Sequence, residues 1–378
     1  MKRANWTYLV ATALVLSTGI SVAGARSRHT AKVSTTVKGN GHGHAHQPTS
    51  TTAAPTTTTQ PATTTTHAPT TTTLPPTTTT AAPTTTTAPP TTTTTQPPSA
   101  GAFLSYPHQS ATLSVSGNDV VVADKTWQGF TGQVPLVVSN AHNVYLHNLD
   151  FADNGGDIFL INVTGNIRIE DIRARNTGDG TIGSGHGNVI QFNNSWQAAT
   201  DDGINGVRRV YALGGDTEDM ISVYKSGGID VAHPLVISDV HLESPLPSSS
   251  STPAWTSGSG TCVNLADAGG HDIRLQNSTL LNCGAVGIQM NEPQSNVKAT
   301  NNTVYGAART TSNVGLSQWS SGSCSACPGN AYLNNHVWWV KSTGSASAMW
   351  LSGNYPVADS GNVKQDATIV PGFLHVAL

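Results

Sequence analysis

From about position 113 onward, apolar and polar residues alternate in short runs broken by Gly, Asn, Asp and Ser. The runs include Val120-Val121-Val122, Pro135–Val138, Asn143–Leu149, Asp157–Ile161, Asn166–Ile172, Asn188–Phe192, Val207–Tyr211 and Met220–Tyr224. Later ones are Leu235–Leu242, Cys262–Leu265, Ile273–Leu280, Val286–Met290 and Val297–Val304. A period of two predicts strands, and no stretch offers the 3.6-residue spacing of a three-turn amphipathic helix. The strands repeat themselves. Asn143-Val-x-Leu-x-Asn-Leu returns as Asn166-Ile-x-Ile-x-Asp-Ile, as Asp272-Ile-x-Leu-x-Asn-Ser and as Asn296-Val-x-Ala-x-Asn-Asn. Val144 and Ile167 are 23 apart, and Ile273 and Val297 are 24 apart. A period in the low twenties with several short strands predicts a solenoid. Val and Ile at the apolar positions, with Asn and Gly in the turns, predict a parallel β-helix rather than a leucine-rich repeat. Its alternate side chains fill the bore, and its Asn residues stack at the turns.

The module resembles the right-handed parallel β-helix, or pectate-lyase-like, superfamily, on the coil motif Asn143-Val-Tyr-Leu-His-Asn-Leu. The runs Gly187–Phe192 through Gly215–Ser226, and Asp267–His271 through Asn301–Tyr305, resemble exported bacterial β-helix repeat proteins. The resemblance covers about residues 140–310 and implies the fold. It does not tie the chain to one reaction. In this fold Cys262 and Cys283, 21 residues apart, are about one coil apart, so the two are expected side by side on stacked strands.

The N-terminal third is different in kind. Lys2 and Arg3 precede an apolar stretch from Tyr8 that ends in Ala23-Gly24-Ala25, so residues 1–25 read as a secretory signal peptide. Residues 26–100 form a basic, His-rich and then Thr/Pro-rich linker, with eleven of the 21 prolines between 47 and 100. Such a composition cannot bury enough apolar surface to fold, so the segment is expected to be a disordered stalk. The β-helix domain is placed at 101–378. The exported protein is expected outside the cell, at the surface or secreted, as a monomer with no membrane insertion after cleavage.

Charge sharpens this picture. Charged residues make up 10% of the chain, and no acidic residue precedes Asp119. From there on, 12 basic residues face 21 acidic ones. A net-acidic body excludes nucleic acid as a partner, because phosphates need a basic surface. The even cysteine count in an exported chain predicts disulfides for Cys262, Cys283, Cys324 and Cys327 in preference to a zinc site.

Three constellations are candidates for chemistry. Asp216, Glu218 and Asp219 crowd one turn, with Asp202 on the coil before, and clustered carboxylates suit Ca²⁺. Polysaccharide lyases of the resembled fold work this way, which would make Lys225 the base. Strand periodicity sets Asp219, Ile221, Val223 and Lys225 on one face. A glycoside hydrolase needs only two carboxyls flanking the substrate, and carboxylates of the 201–219 region, Glu218 and Asp219 among them, with Asp267 or Glu292 are candidates for that pair. Gly185-His186-Gly187 with Asp201-Asp202 is similar to two steps of the polygalacturonase family, but in reversed order. Finally, Asp267, His271 and Glu292 lie within about one coil. His271 is a candidate acid or base, and Asp267 and Glu292 are candidate substrate contacts. Trp255, Trp319 and Trp350 are candidates for stacking on sugar rings, and Trp338-Trp339 for capping the last coil. The expectation is an extracellular carbohydrate-active protein, first a Ca²⁺-assisted pectate-type lyase. The alternatives are a non-catalytic stalked module that binds glycans or acts as an adhesin, and a glycoside hydrolase.

Overall fold

Asn and Asp turn the chain where the repeat places them. A computed structural model describes residues 104–178, 187–215, 217–243, 260–306, 312–323, 327–341 and 343–369. The signal peptide, the linker, Asp216, His186, Trp255 and Cys324 lie outside the described residues. In three of the four sequence repeats a short strand is held between two left-handed Asn or Asp residues, and in the repeat that starts at Asn166 the left-handed residues are Gly165 and Asp171. Asn143 and Asn148 have φ of 57° and 53°, Asp272 and Asn277 of 51° and 53°, and Asn296 and Asn301 of 55° and 57°. Asn and Asp enter this region at little cost, whereas a β-branched side chain would clash there. The corner side chains then stack from coil to coil. Asn143 Nδ2 donates to Asp119 Oδ1 (2.8 Å), Asn148 Nδ2 to Asp124 Oδ1 (2.8 Å) and Asn296 Nδ2 to Asp272 Oδ1 (2.7 Å).

The strands stack in parallel along three faces. The first face comprises the opening residues of β1 (Leu113–Gln128) and β2 (Leu136–Ala152), then β3 (Ile158–Ile161), β5 (Ile190–Asn193) and β8 (Asp219–Tyr224). It continues with β12 (Thr261–Asp267), β15 (Val286–Asn291), β18 (Val314–Ser323) and β21 (Met349–Asn354). The second face runs through the middle of β1 and β2, β4 (Thr164–Thr177), β7 (Gly206–Gly215), β10 (Leu235–Ser238), β13 (Ile273–Gln276), β16 (Val297–Thr300), β19 (Ala331–Leu333) and β22 (Ala358–Ser360). The third face takes the ends of β1, β2, β4 and β7. It then adds β11 (His241–Glu243), β14 (Thr279–Leu281), β17 (Thr303–Gly306), β20 (His336–Trp339) and β23 (Val363–Lys364). Short strands β6 (Trp196–Gln197) and β9 (Gly227–Gly228) sit between the first two faces. The pairs that set the repeat period are register partners, Val144 with Ile167 and Ile273 with Val297.

Apolar ladders fill the bore. On the first face Leu136, Ile158, Ile190, Ile221, Val263, Ile288 and Leu316 stack in register and are all buried. On the second, the small Ala299 lies beneath the large Tyr332, whose hydroxyl donates to the Ser317 carbonyl at 2.7 Å. Buried amides join the coils too. Asn335 Oδ1 accepts from the main chain and side chain of Asn302 at 3.0 and 2.9 Å, and its Nδ2 reaches the Ala299 carbonyl at 3.0 Å.

Several expectations are refined. Cys262 and Cys283 are disulfide-bonded, but not from stacked strands. Cys262 is in β12, whereas Cys283 lies in the turn between β14 and β15, so the bridge closes one coil upon its own start. Cys327 is also disulfide-bonded. Trp339 caps nothing. It is fully buried, and a further coil, β21 to β23, follows it, so the solenoid continues where the sequence repeat fades. Lys225 stands outside its strand, in the left-handed region at φ 49°. Among the described residues no helix is long and apolar enough to cross a membrane.

The corner amides carry a measurable load. Asn335→Ala removes the acceptor of the Asn302 main chain, one of the two acceptors of the Asn302 side-chain amide and a donor to the Ala299 carbonyl, and it is expected to cost about 3 kcal/mol in denaturant unfolding. Asn301→Gly, at an exposed corner, should change stability by less than about 1 kcal/mol, because glycine adopts positive φ freely. Equal effects at the two sites would refute the ladder's role.

Candidate functional site

Strand alternation turns one set of first-face side chains away from the bore. The core takes Ile190, Phe192, Ile221, Val223, Val263, Leu265, Ile288 and Met290. The intervening positions form two parallel rows on the other side. One row runs Gln191, Ser222, Asn264, Gln289, Ser317 and Trp350, each in register with the next. The second begins with Asn193 and Tyr224. Asp267 pairs with Tyr224 because an irregularity after Asn264, with Ala266 at φ 60°, moves it into line. On the next coil Asn291 Nδ2 donates to Asp267 Oδ1 at 2.8 Å, and Asn291 is in register with Trp319 on the coil after that. Tyr224 and Trp319 thus bracket Asp267 and Asn291 across three coil spacings, about 14 Å. Trp319 and Trp350 are exposed.

The acids of this strip are perturbed. Asp219 is buried. Its Oδ1 accepts from the Thr261 main chain and hydroxyl at 3.0 and 2.6 Å, and its Oδ2 accepts from Asn264 Nδ2 at 3.1 Å. Burial pushes its carboxyl up to about 6 against the Thr261 hydrogen bond, and the Glu218 charge adds to the rise. Asp267 is half-buried. Burial first, then the Asp219 charge, lifts it to about 6, with a further contribution from Glu292 and opposition from Asn291. The two acids form a repeated unit. Each holds an Asn amide nitrogen from further along the chain, Asp219 that of Asn264 and Asp267 that of Asn291. Both amide oxygens are buried without a hydrogen-bond partner among the described residues, and Asn264 as a whole is only 7% exposed.

The remaining candidates fall in several places. Glu218 is exposed just before β8. Asp202 is exposed between β6 and β7. It caps its own turn, accepting from the Ile204 and Asn205 main chains at 2.8 and 2.9 Å, and these bonds hold its carboxyl below the usual range. Its neighbour Asp201 pairs with Arg274 of the second face at 2.8 Å. Among the described residues no three His, Cys, Asp or Glu side chains converge closely enough to hold a metal ion, so the described members of the proposed calcium set do not form a cradle. Lys225 is exposed. Its main-chain N–H bonds to the Asp267 carbonyl at 2.8 Å, and its ammonium lies 5.0 Å from the Tyr224 ring centroid. It forms no ion pair among the described residues. Glu292 follows β15, where its charge is felt by Asp267. His271 lies around the corner. Its Nδ1 is 2.9 Å from Asp272 Oδ2, its ring is 4.7 Å from Trp196, and it borders a depression lined by Ile229, Val231, Gln294 and Pro328. Asp219, Asp267 and Glu292 are therefore joined electrostatically, whereas Asp202 and His271 belong elsewhere.

Sequence reasoning missed Asn264, Asn291 and Tyr224. The signal was the alternation itself, read together with the coil period. It also missed Asp157, which is fully buried, accepts from Thr177 and Asn154, and is pushed up to about 7 by burial.

No protein-family model matches the chain, and no curated protein does. Among solved structures, the Streptococcus pneumoniae surface protein and adhesin PfbA aligns at 10% identity over 68% of this chain and 77% of that one, with a TM-score of 0.27. A second structure of PfbA, a surface adhesin of the same organism, aligns at 9% identity over 68% and 73%, with a TM-score of 0.23. A likeness this distant carries no functional argument.

Asp157 offers a pH test of the buried acids. Below about pH 4 it is protonated both folded and unfolded. From there to about 7 the folded state alone keeps the proton, so its contribution to stability falls as pH rises, by about 1.4 kcal/mol per unit of displaced pKa. Asp157→Asn should therefore gain stability relative to the parent across that window, in denaturant unfolding at a series of pH values. A pH-independent difference would contradict the assigned burial.

Proposed function

We propose that this chain is an exported protein that binds an extracellular glycan along the first-face strip and cleaves it by hydrolysis. The observation that supports this most is Asp267. Its carboxyl is lifted to about 6, one oxygen is anchored by Asn291, and Tyr224 and Trp319 stand on either side in its row. Glycosidic cleavage uses one carboxyl that keeps its proton near neutrality and a second that stays ionised, and the environment sets the two apart. Asp267 is the proton donor in this reading, and Glu292, about one coil on, is the second carboxyl. These reactions need the two carboxyls within roughly 5–10 Å, which coils stacked about 4.8 Å apart allow. Tyr224, Trp319 and Trp350 offer apolar faces to sugar rings, and the Gln191, Asn264 and Gln289 row offers amides to hydroxyls. The leader and Thr/Pro stalk expected from the sequence place the domain outside the cell.

A lyase is the second reading, supported by Lys225 reaching the Tyr224 ring at the edge of the same strip. It asks for a polyuronate substrate and a base of lowered pKa. A third outcome is a stalked module that binds without cleaving.

One experiment separates them. The intact protein is incubated with neutral, amino-sugar and uronate polysaccharides, and new reducing ends and ultraviolet-absorbing unsaturated products are followed. Hydrolysis predicts reducing ends without unsaturation, a rate that falls as pH rises past about 6, and a loss of at least about a hundredfold in Asp267→Asn. Unsaturated product lost in Lys225→Ala would establish the lyase instead. Binding with no product of either kind would leave a binding module.

A further inference from the structure

The corner between the first and second faces carries a depression that the first-face reading does not use. Part of its lining depends on a glycine. Trp196 is in register with Gly227, and Gly227 bridges to His271, so the two rings start two coils apart. A side chain at Gly227 would strike the His271 carbonyl; without one, the Trp196 and His271 rings meet at 4.7 Å. The His271 ring is held on its other nitrogen side too. Its Nδ1 lies 2.9 Å from Asp272 Oδ2, and Asn296 Nδ2 donates to Asp272 Oδ1 at 2.7 Å. Nε2 is the ring nitrogen left for a ligand. The loop after β9 supplies more of the lining. Asp230 Oδ1 accepts from the Ala232 and His233 main chains at 2.9 and 3.1 Å, and this closed turn presents Ile229 and Val231 at 48% and 65% exposure. Pro328 extends the apolar part, and Gln294 and Ser295 add an amide and a hydroxyl. The volume is about 540 Å³, within the range of small-molecule sites. Single exposed aliphatic residues are ordinary, but these two share one depression with polar groups able to orient a ring. Among the described residues no Lys or Arg lines it, whereas Asp230 and Asp272 do, so an anionic ligand is disfavoured.

We propose that this depression is a second, non-catalytic sugar subsite for an uncharged ring that carries a methyl group. That methyl is the C6 methyl of a 6-deoxyhexose or the acetyl methyl of an N-acetylhexosamine. It rests against Ile229, Val231 and Pro328, while Asp230, Gln294 and His271 Nε2 take the hydroxyls. His271 is a binding group here and moves no proton. The subsite begins where the coils of the first-face strip turn the corner, since His271 follows Asp267 by four residues and Gln294 follows Glu292 by two. It requires no cleavage on the first face and stands or falls separately from that reading.

The test titrates the intact protein with matched sugars and follows the Trp196 indole N–H by NMR, the signal being assigned by its loss in Trp196→Phe. The pairs are D-fucose with D-galactose, L-rhamnose with L-mannose, and N-acetylglucosamine with glucose; galacturonate is the anion. The expected result is that the methyl-bearing member of at least one pair shifts the Trp196 signal and binds about fourfold tighter than its partner, the worth of one buried methyl. The pair that shows the preference identifies the source of the methyl. Galacturonate should bind more weakly than galactose. Val231→Ser, at an exposed position, should bring the preference to near unity, and thermal unfolding checks that this variant is folded. No preference in any pair, or tightest binding of galacturonate, would overturn the proposal. So would sugar binding that leaves the Trp196 signal unmoved and is lost in Trp319→Ala, a result that keeps the first-face reading. A methyl preference at Trp196 with no product from any polysaccharide would uphold the subsite while the cleavage reading fails.

Discussion

The molecule depends on left-handed corners, which Asn, Asp and Gly make most readily although Lys225 and Ala266 also take that backbone. A solenoid must turn its chain several times per coil, and each turn here demands positive φ at a defined residue. Asn and Asp accept that backbone, and their side chains then bond to the same corner of the adjacent coil. One residue type solves the local geometry and fixes the register between coils. A slip of one residue would carry every bore side chain to the outer face. The corners therefore decide which residues become core and which are left to meet a ligand.

The first face shows how that constraint produces a site. Its bore side is a column of aliphatic residues, so its outer side can be polar without loss of packing. The irregularity after Asn264 is the departure that matters. It moves Asp267 into the row of Tyr224, where Asn291 from the next coil can hold it. Burial and the charges of Asp219 and Glu292 then raise its affinity for a proton. Buried amide oxygens without a partner among the described residues, beside a carboxyl raised by burial, are poor for stability.

Much of the fold was legible in the sequence because the repeat is local. The spacing from Val144 to Ile167 and from Ile273 to Val297 reported true register partners, since each motif is one strand between two corners. The C-terminal coils were less legible although Asn330 and Asn334 flank β19 and Asn335 stacks on Asn302, and Trp339 hides in the bore where a cap was expected. The site was legible only in part. Asp219, Asp267 and Glu292 stood out as carboxylates, but their partners are amides, which carry no charge pattern to notice. Asp202 looked like a ligand because it neighbours Asp201, whereas its bonds close a turn. Lys225 looked like a strand residue until the left-handed corner removed it.

The most direct test of the account is a crystal structure of the intact protein with an oligosaccharide that it binds, using Asp267→Asn to prevent cleavage if turnover is seen. The account predicts sugar rings along the first face, against Tyr224 and Trp319. Sugar seated in the depression beside His271, with the first-face strip bare, would contradict it.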